Sequence, residues 1–291
     1  MFKSISLIRA LLLIVILSVA TSCSKYNKAL KSTDLDYKYE MGKKFYDKGD
    51  WVKAEGIFQE LIGLYRGMSK AEIIYYYYAY CNYYMEDYIM AGYYFKNFTR
   101  TYPASTHAEE CMYMSAYCSY LDSPVSSLDQ SNSLRAIEQL QLYINRYPQS
   151  EKVAEANDLI DELRDKLESK AYDNALLYFK IGSYKASIVS FGNVLVDFPD
   201  TKFRRESFFY ILKSSFLLAE NSIDSKKKER YEATVKAFYT YEKYLPKIEI
   251  VEGEEEGKNK NKGKIGPSFT KEANSILRTA KQEIELLESN N

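Results

Sequence analysis

Four segments of this chain end alike: YFKNFTRTYPAS (Tyr94–Ser105), LQLYINRYPQS, FGNVLVDFPDT and, less closely, FYTYEKYLP. In each, a bulky residue (Phe95, Leu140, Phe191, Phe238) stands eight positions before a proline, and an aromatic residue or Leu directly precedes that proline. Proline lacks an N–H and pushes the residue before it out of helical geometry, so each segment reads as the end of a helix. Three of the prolines are followed two residues on by a hydroxyl, Ser105, Ser150 or Thr201, suited to capping the next helix. A small residue lies four positions before each bulky one: Ala54 before Phe58, then Ala91, Ala136, Ser187 and Thr234. Twelve residues earlier comes another, Gly42, Ala79 or Ala175, with Phe45, Asn82 and Tyr178 three beyond.

Two helices approach to roughly 8–10 Å only where the crossing point is small. Small residues at these intervals, in units of about 34 residues, form the tetratricopeptide pattern of stacked helix–turn–helix units. The near-duplicates AYCNYY (Ala79–Tyr84) and AYCSYL (Ala116–Leu121) fall on the first helix of adjacent units. The chain is therefore expected to be all-α, an α-solenoid of about five tetratricopeptide-like hairpins over residues 34–247. The units run from about Asp34 to Arg66, Met68 to Pro103, and Ser105 to Pro148, with a loop stretched over Asp122–Ser133. The fourth is entered by a helix from Ser150 that exceeds about 25 residues, and the fifth covers Thr201–Pro246 with a loop around NSIDSKKK.

Residues 1–22 read as a signal peptide. Lys3 and Arg9 precede the apolar run Ala10–Leu17, which is far short of the roughly 20 residues a membrane span needs. Small residues then lead to Cys23, as in a lipoprotein processing site, with Ala20 where Leu is usual. Cys23 is the expected lipidation site, and residues 23–33 the lipidated tether. Each acyl methylene buried contributes about 0.8 kcal/mol, so two or three chains hold firmly. At the other end, residues 248–267 form a charged linker containing EGEEEGKNKNKGK, and residues 268–289 an amphipathic helix. That helix either caps the last hairpin or docks on a partner.

The chemistry of a catalytic or metal centre is missing from the sequence. Cys81, Cys111 and Cys118 form no CxxC pair, and the single His107 cannot complete a zinc site. No nucleophile elbow, Walker loop or metalloprotease motif occurs, so neither enzyme activity nor a cofactor is expected. Once the leader is removed, 38 basic residues face 40 acidic ones, which argues against nucleic-acid binding. What stands out is 29 tyrosines against one tryptophan. The helix IIYYYYAYCNYY carries aromatics around its whole circumference, more than a one-faced surface helix needs. Tyr75 and Tyr78 fall at core positions. Tyr39, Tyr46, Tyr76, Tyr80, Tyr83, Tyr84, Tyr113, Tyr117 and Tyr120 fall on the concave side, where they form a candidate groove for an extended peptide or simply pack against one another.

Three stretches, YPASTHAEECMYMSAYC (Tyr102–Cys118), SPVSSLDQSNSLRAIEQLQLYINRYPQS (Ser123–Ser150) and Leu163–Thr201, together with Cys23, resemble the BamD family of lipoproteins, in its Bacteroidetes form. The resemblance implies a scaffold of the outer-membrane β-barrel assembly machinery, anchored on the periplasmic face of the outer membrane. It implies two partners: a BamA-like barrel-forming assembly protein on the C-terminal repeats, and the C-terminal signal strand of unfolded outer-membrane proteins on the N-terminal ones. The alternative is a repeat lipoprotein that binds glycans or coordinates the cell envelope.

Overall fold

The computed structural model describes residues 25–244 and 267–289. The signal peptide, Cys23, Pro246 and the charged stretch Glu252–Lys264 lie outside the described residues. Among the described residues every regular element is a helix. After a short helical stretch at 25–30 come α1 (Leu35–Tyr46), α2 (Trp51–Leu64), α3 (Ala71–Tyr84), α4 (Tyr88–Thr101), α5 (Ala108–Leu121) and α6 (Ser131–Arg146). These are followed by α7 (Val153–Lys180), α8 (Tyr184–Asp197), α9 (Arg204–Glu220), α10 (Asp224–Lys243) and α11 (Pro267–Ser289). The chain divides into two compact units, Met1–Arg164 and Asp165–Asn291.

In the first unit each helix from α1 to α6 packs on its successor, and α1 also touches α3. The first half of α7 supplies Ala156, Leu159, Ile160 and Leu163 to a core shared with Tyr113, Ala116, Leu140 and Tyr143. In the second unit the rest of α7 packs Ala175 and Tyr172 around Phe191 and Val194 of α8. Helices α8, α9 and α10 follow in sequence, and α11 lies on both α9 and α10.

The small-residue register sets these contacts. Ala54, Ala91, Ala136, Ser187 and Thr234 are all fully buried, as are Phe58, Phe95, Leu140 and Phe191, with Phe238 close behind at 5% exposure. Each large member stabilises its crossing by about 1.5–3 kcal/mol through burial alone. Gly42 shows why size matters: a Cβ there would lie 3.0 Å from Phe58 Cε1 and 3.1 Å from Ile57 Cγ2. The register breaks at Tyr178, which is 41% exposed, while its neighbour Phe179 turns inward.

The proline hinges share one backbone shape. Tyr102, Tyr147 and Phe198, each just before its proline, have φ, ψ of −125°, 60°, −126°, 63° and −126°, 77°. That is the displacement from helical geometry a following proline enforces. Two residues past each proline the hydroxyl accepts a backbone N–H: Ser105 from His107 at 3.0 Å, Ser150 from Lys152 at 3.2 Å and Thr201 from Phe203 at 3.0 Å. Tight turns within hairpins place a left-handed residue at Gly49, Glu86 and Gly182. Only Glu86 adopts it without being glycine.

Two loops differ from their expected extents. The stretched third loop closes at Gln130, whose buried amide donates to the Val125 and Leu128 carbonyls, so Ser131–Ser133 are already helical. The loop near residue 222 shrinks to Asn221–Ile223, because Asp224 and the lysines after it enter α10. Asp224 in its first turn and Lys243 in its last complement the helix macrodipole. The long helix before Gly182 is observed at 28 residues.

Cys81, Cys111 and Cys118 are free and fully buried. Burial pushes all three thiols up, Cys118 to about 12. Since the thiolate is the reactive form, none of the three should react with Ellman's reagent at neutral pH until the protein is unfolded. Rapid native-state labelling at any of them would contradict their burial.

Candidate functional site

Helix α3 distributes its tyrosines by direction. Tyr75 and Tyr78 face α4: the Tyr78 hydroxyl donates to Tyr94 at 3.4 Å, and Tyr75 meets Tyr94, Phe98 and Tyr102. Tyr77 faces α1 and α2, stacked 5.6 Å from Phe58 and tilted against Tyr46 at 4.8 Å. Tyr76, Tyr80 and Tyr83 take the remaining side and meet α5, while Tyr84 turns back to Tyr46 and Trp51. With aromatic centroids at 4.5–7 Å, offset and edge contacts hold such rings in fixed mutual positions.

An aromatic strip results. Tyr46 lies 6.1 Å from Tyr84, Tyr84 lies 5.4 Å from Tyr83, and Tyr83 lies 6.5 Å from Tyr117 on α5. Tyr117 is stacked 5.9 Å from both Tyr113 and Tyr120. Tyr80 lies 5.8 Å from Tyr84 and Tyr76 4.8 Å from Tyr80, so eight of the nine tyrosines assigned to the groove are brought together; Tyr39 is not. It stands beside Lys70, whose ammonium lies 4.9 Å over its ring and pairs with Asp36 at 2.7 Å. Trp51 and Tyr88 also join the strip, Trp51 stacked 4.3 Å from Tyr84 and Tyr88 5.9 Å from Tyr83. Both open the second helix of a hairpin, so a search confined to first helices overlooks them.

The strip has a wall and a face. Tyr80 and Tyr113 are 8% and 5% exposed and form the wall, with Tyr80 edge-on to Phe95 at 4.9 Å. Tyr84 is 43% exposed, and Tyr46, Tyr76, Tyr83, Tyr117 and Tyr120 are half-buried. Carboxylates accept hydrogen bonds from several of the phenols. Glu110 accepts from Tyr76 at 3.0 and 3.1 Å and from Tyr80, and His107 Nδ1 lies 3.7 Å from its Oε2. Glu162 accepts from Tyr120. This arrangement offers aromatic faces and fixed acceptors to a ligand. Among the described residues no cluster of three or more His, Cys, Asp or Glu is placed to hold a metal ion.

Burial raises the phenols of Tyr46, Tyr76, Tyr80 and Tyr113 far above the usual value of 10. The hydrogen bond to Glu162, then burial, pushes Tyr120 up to about 12. A raised folded-state value means that the unfolded chain loses these protons first. Their contribution to stability is therefore complete below pH 10 and is lost as pH rises through the folded values, near 12 for Tyr120. Tyrosinate absorbance should accordingly show a group of tyrosines that ionise only together with loss of helical signal above pH 10. Full ionisation of all tyrosines near pH 10 with helices intact would contradict this environment.

Paired helices with small residues at their crossings and a pre-proline hinge between pairs define a tetratricopeptide-like helical-repeat protein. The family model YfiO, described as outer membrane lipoprotein, matches residues 32–244, and the chain belongs to this family. No curated protein matches the chain. The family match ends at the close of α10, so α11 lies beyond it. No helix among the described residues is long and apolar enough to cross a membrane.

Proposed function

We propose that this protein is a lipid-anchored scaffold of the outer-membrane β-barrel assembly machinery. It is held at the periplasmic face of the outer membrane through acylated Cys23. Its C-terminal repeats bind a BamA-like barrel-forming assembly protein. The tyrosine strip of the first unit receives the C-terminal signal strand of unfolded outer-membrane proteins, which makes it a binding scaffold and not an enzyme. Membership of an outer membrane lipoprotein family over residues 32–244 carries this reading.

The strip supports it, because rigid aromatic faces beside fixed carboxylates suit an extended segment bearing apolar side chains. Glycan capture is less well served, since Trp51 is half-buried and its ring is taken by Tyr84 and Tyr46. Affinity purification from detergent-solubilised native membranes should recover a large barrel protein with this chain, and depletion should lower outer-membrane protein levels. Recovery of the chain alone, with normal barrels after depletion, would overturn the proposal.

A further inference from the structure

The stretch that follows Cys23 is seated on the fold. Ala29 is fully buried, and Tyr26 and Leu30 pack onto the core formed by α1, α2 and α3. The Tyr26 ring stands edge-on to Phe45 at 6.0 Å, and its hydroxyl lies so close over Gly56 that a Cβ there would meet it at 2.6 Å. Gly56 is thus the seat for this phenol. With Tyr26, Ala29 and Leu30 turned inward, the other side of the stretch presents Lys25, Lys28 and Lys31, all exposed. Spacing of three places them along one side of a helical turn. Residues 24–33 contain no Asp or Glu, and no carboxylate of the described residues pairs with any of the three. The nearest polarisable partner is the Tyr37 ring, 5.9 Å from the Lys28 ammonium.

We infer that this lysine row is a contact surface for anionic phospholipid headgroups, held in position by the seated side chains. The inference rests on the acylation of Cys23 proposed above, which brings residue 25 to a bilayer surface. A lysine near an anionic surface contributes about 1 kcal/mol, or roughly fivefold, so the row supplies on the order of 100-fold in partitioning.

The test uses the chain from residue 23 onward, alkylated at Cys23 with a single saturated chain. The other cysteines are buried, so labelling is confined to Cys23. One acyl chain binds membranes only reversibly, which leaves room to measure an added contribution. On vesicles of phosphatidylcholine containing phosphatidylglycerol, the K25Q/K28Q/K31Q variant should bind on the order of 100-fold more weakly than the parent. On pure phosphatidylcholine the two should bind alike. Equal binding of parent and variant to the anionic vesicles would overturn the inference, as would a parent that does not distinguish the two vesicle types. The mass of the protein recovered from its native membrane reports separately on acylation, because the vesicle experiment installs its own anchor.

Discussion

Replacing Tyr83, Tyr84 and Tyr117 together with serine is expected to weaken capture of a peptide ending in an aromatic residue by on the order of 100-fold. The three rings lie on the face of the strip, linked by centroid distances of 5.4 Å and 6.5 Å, and none is buried. Aromatic anchors of this kind cost more than about 1 kcal/mol each when truncated at a binding surface, whereas the core beneath them is untouched. Helical circular dichroism should therefore persist. Tyr84→Ala alone, at 43% exposure, should lower affinity with almost no change in Tm. Fluorescence anisotropy of a labelled peptide reads both variants. Unchanged affinity in the triple variant would move these side chains from ligand contact to packing.

Tyr80 belongs to a different experiment. Its position on the first helix of the second hairpin placed it in the groove with its neighbours, yet only 8% of it is exposed. The ring packs on Phe95 and the hydroxyl on Glu110. Tyr80→Ser removes a buried aromatic and leaves a carboxylate short of a donor, a loss of about 3–5 kcal/mol by analogy with other large-to-small core changes. A drop in peptide binding by that variant would report unfolding as much as recognition.

The contrast shows what a linear pattern carries. Intervals of four, eight and twelve residues follow from how helices cross, so Ala91, Phe95 and Pro103 could be assigned from spacing alone, and their counterparts in the other hairpins likewise. The same intervals set which side of a helix faces the groove. They do not set depth, because depth depends on the neighbouring helix. Tyr113 and Tyr117 share a helix face four residues apart, but Tyr143 of α6 lies 5.4 Å from Tyr113 and closes it off. Trp51 and Tyr88 are not legible in the linear pattern for a related reason. They lie on second helices, and only three-dimensional packing brings their rings to Tyr84 and Tyr83. The final helix was legible as amphipathic but not in its destination. Ala273, Ile276 and Ala280 are buried against α9 and α10, with Lys213–Glu272 at 2.6 Å and Lys228–Glu288 at 2.9 Å flanking the contact. That placement covers the apolar side of the last hairpin.

The proline hinges carry the second large effect, on stability. Thr201 donates its hydroxyl proton to Glu168, whose Oε1 also accepts the Lys202 backbone N–H at 3.1 Å. Both Thr201 and Glu168 are only 7% exposed. Ser105 donates in the same way to Glu72. Each pair is separated by 33 residues, about one repeat, so an acid in the first helix of one unit fastens the hinge that opens the next. The stretched third loop breaks this spacing, and there Ser150 bonds Tyr143 at 2.7 Å instead. Thr201→Val keeps the shape and removes the donor, leaving a buried carboxylate with a single N–H partner. Such an unsatisfied group costs about 1–3 kcal/mol, and each kcal/mol lowers the Tm of a chain of this length by roughly 2–4 °C. Thr201→Ser restores the donor and should recover most of the loss. Thermal unfolding followed by circular dichroism distinguishes the two: if valine and serine variants melt together, the hinge hydroxyl contributes nothing to stability through either Glu168 or the Phe203 N–H, and the hairpins are held by the buried Phe191, Val194 and Phe209 side chains alone.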